Sequence, residues 1–208
     1  MFDKKIMKKK WVKYFISFII VSILFGILIQ SIELLIIKKD LSPEGGPDPF
    51  FATLLITVPL VFIACLSFPV GIIALAIKKT RVLGIFILCG ALVFLGAMFA
   101  MSTYNSNVRM EAFEKLGSRL TPLINAIEKY KIDKGNYPAN LQDLVPEYLP
   151  KLPATRMKNY SNYEYNVEKQ GGVRGGDPWR IVIDAGYGMG FDKFVYYPNQ
   201  KEWIYIHD

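Results

Sequence analysis

The chain has 208 residues, 52% of them apolar, and a mean hydropathy of +0.26, which is too apolar for an ordinary water-soluble domain. Its net charge of +7 is uneven: residues 1–103 hold 11 Lys/Arg against 5 Asp/Glu, and residues 104–208 hold 14 against 13. The positive excess therefore belongs to the apolar half, where it sets membrane topology, and no nucleic-acid partner is expected. Cys65 and Cys89 both fall inside apolar runs, so there is no disulfide framework and no CxxC metal or redox motif. They read as small packing hydrophobes.

The N-terminal tail carries Lys4, Lys5, Lys8, Lys9, Lys10 and Lys13 before an apolar run from Trp11. No small-residue cleavage site follows, and the run is as long as the roughly 20 residues that cross a bilayer, so an uncleaved first span is expected over about 12–37. Glu33 lies near its far end, where it reaches water or pairs with Lys38 or Lys39. Asp40 to Pro49 is a turn-rich connector that helices do not cross. The second span, 50–77, would extend about 42 Å at 1.5 Å per residue, so tilt or bending is expected. Pro59 and Pro69 are the expected bend points, because each removes a backbone donor.

Lys78, Lys79 and Arg81 separate the second span from a third, uncharged one at 82–103. Six Lys in the tail and three basic residues in this loop, against two in the first loop, place the N-terminus in the cytoplasm and the C-terminal half outside. Gly84, Gly90, Gly96 and Ala100 give the third span a small-residue face. That face serves the other two spans or a homo-oligomer. The expected division is thus a three-helix anchor over 1–103 and an extracytoplasmic α+β domain over 104–208.

Beyond Asn105 the pattern turns amphipathic. Phe113, Leu116, Leu120, Leu123, Ile127 and Tyr130 recur three or four residues apart and form one helical stripe. At Pro122 either Thr121 caps a restarted helix or the helix kinks, and Gly135 is placed as a left-handed C-cap. Asn140 caps a short helix with Asp143 as its capping-box partner. After residue 160 the period becomes two. Tyr163, Tyr165 and Val167, then Trp179, Ile181 and Ile183, then 191–197 and 203–207 predict an antiparallel sheet of about four strands packed on the stripe.

The run Ile127 to Pro138 (Lys131-Ile-Asp133-Lys-Gly135-Asn-Tyr137-Pro138), followed by Leu144-Val-Pro146 and Asp177-Pro-Trp179, resembles the major pseudopilins of type II secretion and type IV pilin-like proteins over about residues 82–208. The resemblance implies a long helix, half membrane and half amphipathic, leading into a small sheet, in a bacterial cytoplasmic membrane. In that family a Gly-Phe leader site and a Glu early in the helix support processing and polymerisation. Here no Gly-Phe site opens the helix and no Glu lies between Arg81 and Glu111. The major pseudopilins also bind calcium in a C-terminal loop; the acidic residues here, Asp177, Asp184 and Asp192, are spread over separate turns without a dense oxygen-ligand loop, so ordinary turn and cap roles are expected for them.

His207 is the only histidine, which leaves no His-based triad or multi-His metal site. Gly171-Gly-Val-Arg-Gly-Gly176 lacks the Gly-Lys-Ser/Thr of a phosphate loop and reads as a connector. Gly186, Gly188 and Gly190, around Tyr187 and Met189, read as a tight or bulged turn. Eleven of 12 tyrosines follow residue 103, with Trp179 and Trp203. They read as sheet core, with an exposed subset open to binding. The expectation is a non-catalytic, membrane-anchored interaction module with no cofactor and no metal, docking a protein partner or cell-envelope component. The alternatives are an accessory subunit of a secretion or pilus-like assembly, and a small transporter or channel subunit.

Overall fold

The computed structural model describes residues 4–167, 176–186 and 192–207, with side chains from residue 11 onward. The side chains of Lys4 to Lys10, residues 171–175 of the glycine-rich connector, and Tyr187, Gly188, Met189, Gly190 and Phe191 lie outside the described residues. The chain forms two compact units, one of residues 1–36 and 51–107, the other of 37–50 and 108–208.

The first unit is helical. Helix α1 spans Lys4–Asp40, α2 Pro49–Ala52, α3 Val58–Ala76 and α4 Arg81–Arg119, the last with its residues 81–107 in this unit. Three helical segments are long and apolar enough to cross a membrane, with mean hydropathies of 2.5, 2.5 and 2.7. Their apolar side chains are largely exposed, as Leu55, Phe62 and Phe99 are. In water such exposure would be costly, whereas lipid tails remove the penalty.

Between α2 and α3, Thr53–Thr57 form a π-helical turn, with the Val58 N–H donating to the Thr53 carbonyl. The turn lies just ahead of Pro59, which has no N–H to continue the ordinary ladder. Pro69 sits inside α3. Close approach relies on glycine: a Cβ on Gly84 would lie 2.7 Å from the Gly71 carbonyl oxygen, and one on Gly71 2.7 Å from Leu88.

The second unit takes the outer part of α4, helix α5 (Thr121–Lys134) and four strands: β1 Glu164–Val167, β2 Trp179–Asp184, β3 Lys193–Tyr197 and β4 Glu202–Ile206. The strands pair antiparallel in sequence order. Ile181 opposes Tyr165 and Tyr196, and Phe194 opposes Ile183 and Tyr205. This register puts Trp179, Ile181, Ile183, Phe194 and Tyr196 on one face, as period two requires.

The helical stripe meets that face. Phe113, Leu116 and Leu120 pack with Ile183 and Phe194, and Leu123 and Ile127 with Trp179, Ile181 and Tyr196. Those five stripe residues are fully buried. Burying a Leu, Ile or Phe side chain contributes roughly 1.5–3 kcal/mol, so this seam is the main source of cohesion of the unit.

One local expectation needs adjustment, and two others are met. Leu120 alone separates α4 from α5 and occupies the N-cap without a side-chain hydrogen bond; Thr121 is already helical and does not cap. Pro122 falls in the first turn, where its missing N–H costs nothing. Gly135 ends α5 in the left-handed region at φ 81°, as its position predicts. Asn140 accepts from the Gln142 N–H at 2.9 Å, and its own N–H donates to Asp143 at 3.1 Å, so the expected cap on the short 3₁₀ turn Leu141–Leu144 is present.

Candidate functional site

The feature that organises the second unit is a buried polar cluster centred on Arg109. Its guanidinium lies 3.4 Å from Asp40, donates to the Tyr160 hydroxyl at 3.0 Å and to the Ala185 carbonyl at 2.7 Å, and reaches the Tyr205 hydroxyl at 3.4 Å. Asp40 is the last residue of α1, Arg109 lies on α4, Tyr160 in a 3₁₀ turn, and Ala185 just after β2.

Tyr160 donates to Asp40 at 2.6 Å, and Asn159 donates to the second carboxylate oxygen at 2.6 Å. A buried carboxylate with three donors and a buried guanidinium with several acceptors meet the conditions under which burying charge is tolerable. Burial works against the charge of Arg109, but the adjoining Tyr160 and Tyr205 offset it, and the net shift holds its proton more firmly. Burial also raises the Tyr160 and Tyr205 hydroxyls above the usual tyrosine range, keeping both neutral.

Around this cluster the connector is stitched to the C-terminal part of the unit. The Lys158 N–H donates to the Ser42 carbonyl at 3.3 Å, Asn159 donates to the Gly46 carbonyl at 3.0 Å, and Leu41 packs on the core. Gly45 has φ 75°, and a Cβ there would lie 2.9 Å from Asn159 Oδ1, so glycine is required. None of this pairing has a signal in the sequence, where Asp40 and Arg109 look like ordinary interfacial charges.

On the same unit, a cleft of about 530 Å³ opens beside β1. Asn140, Gln142, Ser161, Asn162, Tyr163 and Tyr165 contribute its polar groups, and among the described residues no charged side chain lines it. The Tyr165 hydroxyl is buried and has no hydrogen-bond partner among the described residues. A cleft of uncharged amides, hydroxyls and aromatic rings suits an uncharged polar ligand surface.

The other sequence candidates are dispersed. Asp177 accepts from the Asn199 N–H and Asp184 from the Gly186 N–H, each at 2.9 Å, while Asp192 accepts from the Tyr205 hydroxyl at 3.1 Å. Each therefore has a turn or clamp role, and the described residues contain no acidic or His/Cys cluster able to hold a metal. His207 lies 3.5 Å from Asp192 and is largely exposed. Of the two tryptophans beyond residue 103, Trp179 is fully buried and Trp203 stacks on Phe194 at 4.8 Å. Cys65 and Cys89 are free thiols in the helical unit.

In the first unit, Gly84 and Gly90 pack against Leu75 and Phe18 of the same chain, whereas Gly96 faces open space and Ala100 is exposed. Glu33 does not pair with Lys38 or Lys39. It accepts hydrogen bonds from Thr53 and Thr57 instead, and Lys39 pairs with Glu44. No protein-family model, no curated protein and no solved structure matches this chain.

Proposed function

We propose that this protein is a membrane-anchored docking module whose second unit faces the outside of a bacterial cytoplasmic membrane and works by binding rather than by catalysis. The observation that carries the reading is the Asp40–Arg109–Tyr160 cluster. It makes the connector between the first two helical spans part of the same unit as residues 108–208. A connector and a C-terminal region that fold together belong on one side of the bilayer, which is what three crossings require. The basic residues at Lys78, Lys79 and Arg81 favour the cytoplasm for the opposite side.

The uncharged cleft beside β1 is the docking surface, taking a protein partner or a cell-envelope component. A photo-crosslinking residue in place of Gln142 or Asn162 is expected to trap that partner in intact cells. One in place of Lys115, on the exposed surface of α4, is not. Equal adducts from all three positions would remove the cleft from the reading.

A second reading is that of an accessory subunit in a secretion or pilus-like assembly. The Lys131–Pro138 run supports it, as does a long helix followed by a sheet in simple sequence order. It predicts co-purification with the inner-membrane components of such a machine, and unchanged secretion after deletion of the chain would count against it.

A further inference from the structure

The helical unit contains a mainly apolar cavity with one polar side that the docking function does not use. It has a volume of about 400 Å³, and Gln30, Glu33, Thr53, Thr57 and Ser102 form its polar side, with Leu95 and Met98 in the apolar wall. Both threonines belong to the π-helical turn, Thr53 at its first position and Thr57 at its last. Such turns recur where a helix is locally rearranged to present side chains.

The hydrogen-bonding inventory of this cavity is unbalanced. The Glu33 carboxylate can accept about four hydrogen bonds and receives two, from Thr53 and, at 3.4 Å, from Thr57. Each threonine spends its one O–H on Glu33, so both hydroxyls face the cavity with acceptor capacity only. Beyond Gln30, which is 1% exposed, Asn105 donates to the Gln30 carbonyl and side-chain oxygens at 3.2 Å. The Asn105 Oδ1 itself is buried and meets no donor among the described residues. Among the described residues, no cationic side chain lines the cavity. A carboxylate among helices of this hydropathy is costly unless a positive partner reaches it.

We infer that this cavity binds an amphiphile carrying a single ammonium group, with the N–H donors on Glu33, Thr53 and Thr57 and the apolar body against Leu95 and Met98. The ammonium supplies what Glu33 lacks, namely a positive partner with further N–H donors for its open acceptor sites. A bare metal ion would leave most of the volume empty, since about 400 Å³ is in the range of organic-ligand sites. An anionic head would meet Glu33 with like charge. The ammonium comes from an aminophospholipid head group or from a free lipophilic amine.

The full chain in phosphatidylcholine nanodiscs tests this with dodecylamine and its uncharged counterpart dodecanol as probes. Native mass spectrometry should show saturable retention of dodecylamine over dodecanol. Glu33→Gln, which removes the charge, keeps an acceptor oxygen for one threonine and turns the other contact into an N–H donor, should weaken amine binding by about tenfold or more. A parallel arm with nanodiscs of mixed phosphatidylethanolamine and phosphatidylglycerol separates the sources. Enrichment of phosphatidylethanolamine on the unaltered chain but not on Glu33→Gln assigns the lipid, and retention of dodecylamine alone assigns a free amine. Equal binding of amine and alcohol, equal binding to both chains, or no binding of either ammonium probe overturns the inference. The test is independent of docking by the second unit.

Discussion

Arg109 and Asp40 meet with 3.4 Å between Nη1 and Oδ2, although 69 residues separate them, and their side chains are only 9% and 3% exposed. Removing one member of a buried ion pair leaves the other charged and unpartnered, which typically costs about 3–5 kcal/mol. Asp40→Ala is therefore expected to destabilise the second unit by that order, read as a lower thermal midpoint in detergent. Asp40→Ala combined with Arg109→Met should cost less than the sum of the single changes, because no stranded charge remains.

Gly117 tests the fit of helix to sheet. A Cβ there would lie 2.8 Å from Cδ1 of Trp203, whose ring stacks on Phe194 at 4.8 Å. Gly117→Val should displace Trp203 and cost about 1–3 kcal/mol as overpacking. The same variant should shift tryptophan fluorescence to the red, whereas Ser118→Ala beside it should leave both readings unchanged.

The seam between stripe and sheet makes a larger prediction. Phe113 is fully buried and touches Tyr160, Phe194 and Tyr205 with ring centroids 5.1–5.5 Å apart. Phe113→Ala should cost about 3–5 kcal/mol, measured by chemical denaturation, through lost burial and the cavity left behind.

Alkaline pH gives an independent test. Burial raises the pKa of Tyr160, Tyr163, Tyr165, Tyr196 and Tyr205 above the ordinary value of 10.0. A raised folded-state pKa means that the folded chain binds more protons than the unfolded chain in the window between the two values. The associated stability is fully present below pH 10.0 and is lost as pH rises through the raised values. Stability should thus be flat with respect to these groups at neutral pH and fall above that point. The tyrosinate absorbance of these five groups should appear only together with unfolding; full ionisation of all 12 tyrosines before the loss of structure would mean that these five are not buried as described.

Much of this architecture could be read along the chain because it follows from periodicity. The three-and-four spacing from Phe113 to Ile127 and the alternation in Trp179, Ile181 and Ile183 each mark a buried face. Gly135 and the Asn140–Asp143 box are equally local signals. What escaped is nonlocal. Asp40 meets Arg109 and Asn159 only after the chain has crossed two further helical segments, so no spacing reveals the contact. The Thr53–Glu33 contact depends on a π-helical turn, which has no pattern of its own in an apolar run. Val182 and Val195 are buried although they occupy the alternate positions of their strands, which alternation alone assigns to the solvent side.

Sidedness is the point on which the account depends most, and cysteine accessibility measures it. In a Cys65→Ala, Cys89→Ala background, Glu44→Cys in the connector, Asn162→Cys beside the cleft and Lys79→Cys between the second and third spans would be exposed to a membrane-impermeant maleimide on intact spheroplasts. The account predicts that Glu44→Cys and Asn162→Cys are labelled from outside and that Lys79→Cys is labelled only after permeabilisation. Labelling of Glu44→Cys and Asn162→Cys on opposite sides, or of Lys79→Cys from outside, would contradict it.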